Sequence, residues 1–324
     1  MTTRESVVTP ARLNQTDEGQ PLRGKVALVT GASGGGVGST TARLLGARGA
    51  AVLVHYFQHQ AAAEQVAGGI VAGGGRAQAV QGDVGDREQV ERLVATAVDA
   101  YGRLDILVNN ASARRPPASG RSVHALGARS PGFLDWTWEQ FSQAMNERLQ
   151  PAFLVTQAVL PAMRQQGSGR LIYVGSEHAD GPAGLPGMIA NGTSAAALVA
   201  FVRYLAHELG PDGITANVVS PGGIDSPGSA QALAAMGLPP GIRERMAASV
   251  PLRRMATPRD VAGAIAFYAS DDAAFMTGTV AHVNGGFGLA RTAAGPLEGW
   301  SPPQVIHGPG AAAGDRFAAP ETAR

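Results

Sequence analysis

The chain has 324 residues, 44% of them apolar and 16% charged, with a formal net charge of +1 and no cysteine. That length suits one large α/β domain with tails. The near-neutral charge gives no reason to expect nucleic acid, and the absence of thiols excludes disulfides, a cysteine nucleophile and cysteine-ligated clusters.

The N-terminal stretch MTTRESVVTPARLNQTDEGQ is polar and lacks the apolar core of a secretion signal. No run approaches the ~18 apolar residues of a membrane span. The expectation is a cytoplasmic protein without membrane contact. Residues 1–23 read as a disordered arm. From Lys25 onward, short apolar runs alternate with helical periods. KVALVT (25–30), AAVLVHY (50–56), RAQAVQG (76–82), LDILVN (104–109), RLIYVG (170–175), ITANVVS (214–220) and TVAHVN (279–284) read as strands. Most are β-branched and almost continuously apolar, the pattern of a parallel sheet covered on both faces. Segments 86–101, 137–166, 190–210 and 258–270 read as helices. This alternation predicts one doubly wound, Rossmann-type parallel sheet of about seven strands over residues 24–288. Residues 112–135 and 223–257 are long loops, and 287–324, rich in Ala, Gly and Pro, form an irregular tail.

VTGASGGGVGSTTARLLGARGA follows the first strand and opens a helix. Glycines there let the backbone approach a pyrophosphate, whose charge suits a helix N-terminus. Together with GDV (82–84), NNAS (109–112), RLIYVGS (170–176), NVVSPGGIDS (217–226) and VNGGF (283–287), this loop resembles the short-chain dehydrogenase/reductase family over residues 24–288. The resemblance implies a nicotinamide dinucleotide. Gly31, Ser33, Gly36, Val37 and Gly38 would cradle its phosphates, with one residue more between Gly31 and Gly36 than the family spacing has. Asp83 and Val84 would border the adenine, and Asn109 and Ala111 would pass behind the cofactor. Pro221, Gly222, Ile224 and Ser226 would face the nicotinamide. Where NAD-preferring relatives present an acid to the ribose, this chain has Tyr56, followed by Phe57. Ser33 or His55 would approach a 2′-phosphate, so the expectation leans to NADP(H) over NAD(H).

The family's carbonyl chemistry uses a tyrosine proton donor, a lysine, a serine and an asparagine. Aligned without a gap from AHELG (206–210), Asn191 stands on the tyrosine and Ala195 on the lysine, one helical turn apart. Counting back from Phe153 puts Arg148 on the asparagine; Asn146, two residues away, points elsewhere. Ser176 alone keeps its family identity. Asn191 and Ser176 could polarise a carbonyl, but an amide cannot give up a proton near neutral pH. Arg148 reads as the relocated positive charge. SEHADG (176–181) supplies candidate replacement acids, of which His178 has the suitable ordinary pKa; Glu177 and Asp180 stand beside it. No spacing suggests a metal site. Arg114, Arg115, Arg121 and Arg129 suggest an anionic or phenolic substrate, and Trp136 and Trp138 read as packing anchors.

Three functions are compatible with these residues. One is an atypical NAD(P)(H)-dependent oxidoreductase acting on a small organic molecule without the Tyr–Lys pair. Another is a cyclase, isomerase or lyase on the inherited pocket, using no dinucleotide in turnover. The last is a non-catalytic partner subunit. A homodimer or homotetramer is expected through helices 137–166 and 190–210. The tail would help cover the site.

Overall fold

The computed structural model describes residues 19–113, 133–181, 188–229 and 241–288. The expectations for the arm before residue 19, for the four loop arginines and for the tail beyond 288 lie outside these residues. Seven strands form a single parallel sheet: β1 (Val26–Val29), β2 (Ala51–Tyr56), β3 (Arg76–Gln81), β4 (Ile106–Asn109), β5 (Gly169–Val174), β6 (Ile214–Pro221) and β7 (Val280–Val283). Their order is β3-β2-β1-β4-β5-β6-β7. β1, β2 and β4 are buried along their whole length, as their apolar runs require. β3 lies at an edge and is largely exposed along its polar-interrupted RAQAVQ.

Among the described residues, six longer helices flank the sheet and a seventh is shorter. α1 (Val37–Ala47), α2 (Gln60–Ala72) and α7 (Pro258–Tyr268) pack on one face; α3 (Arg87–Tyr101), α4 (Trp138–Gln166) and α5 (Ile189–Leu209) pack on the other. α6 (Ile242–Ser249) follows β6. Local chemistry fixes several ends. Asp86 caps α3, Thr137 and Gln140 form a capping box on α4, and Thr257 with Asp260 does the same for α7. Gly102 and Gly167 end α3 and α4 in the left-handed conformation.

Four expectations change. The stretch 223–257, expected as a loop, holds the helix Ile242–Ser249. Leu22 is buried and its amide donates to the Arg48 carbonyl, so the packed chain begins inside the segment expected to be a disordered arm. By length and hydropathy, the stretch Ile189–Asp212 could cross a membrane, contrary to the reading that no run approaches one. Here Leu198, Val202, Ala206 and Leu209 of that helix lie in the core against the sheet and α4. Trp138 is not the buried anchor expected: it is 73% exposed, its ring tilted against Phe141 with centroids 6.0 Å apart.

β1 pairs with β2 on one side and β4 on the other. The chain direction across the sheet reverses at that point, and a crevice opens at the carboxyl ends of β1 and β4.

Candidate active site

The walls of the crevice are tied together by Thr30. Its hydroxyl accepts the amides of Asn110 (2.9 Å) and Ala111 (3.0 Å) and donates to the Val108 carbonyl. The Asn110 side-chain amide donates to the carbonyls of Thr30 and Gly31 at 3.0 and 3.2 Å. A Cβ on Gly38 would lie 2.3 Å from the Gly31 carbonyl oxygen, so the first turn of α1 sits directly on the end of β1. Gly34 and Gly36 face open space instead. The extra residue is therefore taken up in a bulge between Gly31 and Gly36, and the Gly31–Gly38 contact is kept. Gly36 caps α1 with no side-chain hydrogen bond, which leaves the helix's first amides for a ligand. A cradle with open glycines at a helix N-terminus fits a dinucleotide pyrophosphate. Ser33 stands half-buried in this loop, and Val37 and Gly38 are buried behind it.

His55 has a different role from the one expected. The Gly31 amide donates to its Nδ1 at 3.0 Å, which makes Nε2 the protonated nitrogen, and Nε2 donates to the Gly82 carbonyl at 3.0 Å. The ring is buried with both nitrogens used, so it does not approach a 2′-phosphate. Burial pulls its pKa down to about 4, and it stays neutral. It pins the glycine loop to the end of β3. Tyr56 also turns inward: its ring is 7% exposed, packed among α1 and α2 side chains, while Phe57 is 46% exposed at the rim. Beyond β3, Asp83 is half-buried and accepts the Gly85 amide at 2.8 Å; Val84 is buried.

The opposite end of the crevice lies where β5, β6 and α4 meet. α4 contains Pro151 in its interior. A proline has no N–H for the carbonyl four residues back, and that carbonyl, of Glu147, instead accepts the Ala113 amide at 2.9 Å. The same turn of α4 carries Arg148, and Asn109 donates to the Pro151 carbonyl at 3.5 Å. The Arg148 guanidinium reaches α5 and donates through Nη2 to Asn191 Oδ1 at 2.5 Å. Burial lowers its pKa to about 10, so it remains charged at neutral pH. Its Nε is buried and has no partner among the described residues. A cavity of about 140 Å³ adjoins it, lined by Asn109, Asn110, Ser112, Tyr173 and Gly175 among others. Ala195, one turn after Asn191, is fully buried, and Asn146 faces solvent.

Ser176 stands two residues beyond β5 and caps the short turn Glu177–Asp180, its Oγ accepting the His178 amide at 3.4 Å. His178 is buried, and burial followed by the nearby Arg148 charge pushes its pKa down. A neutral imidazole is a poor proton donor, so His178 does not have the ionisation its ordinary pKa suggested. Glu177 moves the other way: burial raises its pKa to about 7. Its Oε2 is buried with no hydrogen-bond partner among the described residues and lies 2.7 Å from where a Cβ on Gly222 would stand. Asp180 pairs with His282 at 3.5 Å. Tyr173, the tyrosine on β5, is no substitute donor: it is buried, its phenol bonded to the Thr156 hydroxyl at 2.6 Å, and burial lifts its pKa above the ordinary value. Pro221 and Gly222 close β6. Ile224 bridges to Ala256, and Ser226 folds back on Ser229. No group of three or more metal-ligating side chains occurs among the described residues.

Ser176, Asn191, Arg148 and His178 are thus gathered at one end of the crevice, the glycine loop and Asp83 line the other, and Asn109 and Ala111 lie between, lining the cavity beside Arg148. Two contributors went unread in the sequence. Pro151 inside a helical period was the available signal for the Ala113–Glu147 tie. The His55 clamp had none, because a histidine inside an apolar strand looks the same whether or not it is bonded.

Residues 31–288 match the family described as Enoyl-(Acyl carrier protein) reductase. A 3-oxoacyl-[acyl-carrier-protein] reductase of Synechocystis sp. is 36% identical over 266 residues, covering 82% of this chain and 97% of that protein. The short-chain reductase protein NovJ of Streptomyces niveus is 35% identical, covering 81% of this chain and 93% of its own. A cyclohexanol dehydrogenase of Rhodococcus sp. is 35% identical, covering 82% and 97%. On these likenesses and on the seven-stranded sheet with its glycine-lined crevice, the chain belongs to the short-chain dehydrogenase/reductase family.

Proposed function

We propose that this protein is an NAD(P)(H)-dependent oxidoreductase that interconverts a carbonyl and an alcohol on a small organic substrate, and that it works without its family's tyrosine–lysine pair. The observation that carries this reading is the contact of Arg148 with Asn191. A guanidinium has donors only, so the atom it holds is the amide oxygen, and the Asn191 NH₂ is left to point at a substrate. With the Ser176 hydroxyl it forms a pair of donors for a carbonyl oxygen. Arg148 places a fixed positive charge behind them, favouring the oxyanion that develops as the carbonyl is reduced.

The dinucleotide would be held by the open loop Gly34–Gly36 and the first turn of α1, with Asp83 and Val84 at the adenine. Asn109 and Ala111 would lie behind it, and Pro221, Gly222, Ile224 and Ser226 along the nicotinamide. When bound in reduced form, it supplies a hydride. Residues 55–60 contain no acid, so nothing there repels a 2′-phosphate and NADP(H) is the preferred form. The names of relatives, a 3-oxoacyl-carrier reductase and a cyclohexanol dehydrogenase, fit the same reaction class. The functional unit is a homodimer or homotetramer through α4 and α5.

The test is a fluorescence titration of the purified chain with NADPH and with NADH. Micromolar binding, tighter for NADPH, supports the proposal. No binding up to millimolar concentration overturns it, and leaves a non-redox enzyme or a non-catalytic subunit.

A further inference from the structure

We propose that Glu177 is the group that gives and takes the proton in this reaction, a role that rests on the oxidoreductase reading above. The carboxyl follows Ser176 directly, and the Ser176 cap sets the turn that carries it. β5 and β6 run side by side with Val174 opposite Val219, so Glu177 emerges at the carboxyl edge of the sheet next to Pro221 and Gly222. It needs a glycine at 222: a Cβ there would lie 2.7 Å from Oε2 and 2.9 Å from the Asn284 Cβ.

A carboxyl with only a structural role is normally paired where it is buried. The Oε2 of Glu177 is buried and has no partner among the described residues. In its protonated form it lacks only an acceptor, which a substrate oxygen would supply. Among the described residues, no neighbouring charge supplies the missing partner. His178 and Asp180 share its turn, and Asp180 is engaged by His282 of β7. Arg148 of α4 is directed to Asn191. α5 meets the turn through Asn191 and Gly192, and β6 through Pro221 and Gly222; none of the four titrates. Burial raises its pKa to about 7, near the pH at which a general acid works best.

In the reduction, hydride supplied by a reduced nicotinamide dinucleotide, itself oxidised in the step, forms one C–H bond at the carbonyl carbon. The C=O π pair moves onto oxygen. The O–H bond of Glu177 breaks as its proton joins that oxygen, and the resulting carboxylate is reprotonated from water. Alcohol oxidation runs the same steps in reverse, with the Glu177 carboxylate as base. Reduction should therefore fall as pH rises through about 7, and oxidation should rise over the same range.

Full-length wild type, Glu177→Gln and Glu177→Asp are compared in two ways. Difference infrared spectroscopy across the neutral range needs no substrate. A protonated-carboxyl band that fades near pH 7 in wild type and is missing from Glu177→Gln supports the proposal. A Glu177 carboxyl already ionised in mild acid overturns it. Kinetics with NADPH and a panel of small ketones, cyclohexanone first, form the second arm. Glu177→Gln should lose ~10²–10⁴-fold in kcat with NADPH affinity unchanged, and Glu177→Asp should recover part of the rate. A Glu177→Gln enzyme with wild-type kcat overturns the proposal while leaving the oxidoreductase reading intact. Wild type that binds no NADPH overturns that reading, and this role with it.

Discussion

Arg148 of α4 and Asn191 of α5 are joined side chain to side chain, guanidinium to amide oxygen, at 2.5 Å. The two stand 43 positions apart in sequence, on helices packed against the same face of the sheet. Arg148→Ala would release the Asn191 amide to rotate and remove the charge behind it. The expected loss is ~10²–10³-fold in kcat, the range for removing one donor from a preorganised site. Arg148→Lys keeps the charge but not the planar fork and should recover only part of the rate. Steady-state kinetics of both variants, with NADPH affinity measured separately, check this. A wild-type rate in Arg148→Ala would remove Arg148 from the mechanism.

His55 links folding to pH. Its folded-state pKa is lowered to about 4 from an ordinary 6.5. Between those values the unfolded chain takes up a proton that the folded chain refuses. The stability His55 contributes is therefore complete above pH 6.5 and is lost as pH falls toward 4. The loss is on the order of 3 kcal/mol at its largest. Thermal unfolding across that range should show it. His55→Ala should show a flatter pH dependence there and a lower Tm at neutral pH, because the Gly31 amide and the Gly82 carbonyl would lose their buried partner at about 1–3 kcal/mol.

Such a clamp marks the limit of what the chain's pattern reveals. All seven strands and the four long helices sought were legible, because each follows one periodicity over its length and burial obeys it. The motifs that named Ser176 and the glycine loop stand after strand ends, and the fold sets both along one crevice. Ionisation was not legible. Glu177 and His178 are neighbours with ordinary pKa values of 4.5 and 6.5, and the histidine, nearer neutrality, looked the better acid. Burial raises the carboxyl and depresses the imidazole, which reverses that order. Arg148 lay on the expected position, but its bond to Asn191 depends on how α4 and α5 pack, which neither helix encodes alone. Hydropathy misled in the opposite sense for α5, where apolar residues on several faces serve the core.

The glycine loop separates folding from ligand binding. Gly38→Ala would place a Cβ 2.3 Å from the Gly31 carbonyl oxygen and 2.7 Å from Asn110 Nδ2, against backbone that has little room to yield. It should lower Tm and abolish dinucleotide binding together. A Cβ on Gly34 meets nothing in the protein. Gly34→Ala should keep the wild-type Tm yet weaken NADPH binding, because the methyl group would occupy the space left for a phosphate. Unchanged NADPH affinity in Gly34→Ala would place the pyrophosphate elsewhere.

The assembly can be tested on the faces of α4 and α5. Tyr204 is 78% exposed, and Phe153 stands half-exposed beside Phe201, their ring centroids 6.5 Å apart. Such an apolar patch suits burial by a second copy. Sedimentation at micromolar concentration should show a dimer or tetramer, and Phe153→Asp with Tyr204→Asp should shift it to monomer. A wild-type monomer under those conditions would count against the proposal.

Restoring the family's pair, Asn191→Tyr with Ala195→Lys, should not restore an ordinary reductase. Ala195 has no exposed surface, and the cavity beside Arg148 is not lined by it. A lysine there must find space in packed surroundings, at a typical cost of 1–3 kcal/mol. Its ammonium would also share a largely buried site with the Arg148 guanidinium, and like charges in such a place oppose each other's ionisation. The tyrosine, in turn, would take away the amide oxygen that now accepts from Arg148 and leave a buried cation with one partner fewer. Lower Tm and ketone reduction no faster than wild type are the expected results. Adding Arg148→Asn to the pair should relieve the repulsion and raise both, which separates an electrostatic cause from simple overpacking. Vigorous ketone reduction by the double mutant alone would show that Arg148 and Asn191 are not a working replacement for the residues they displaced.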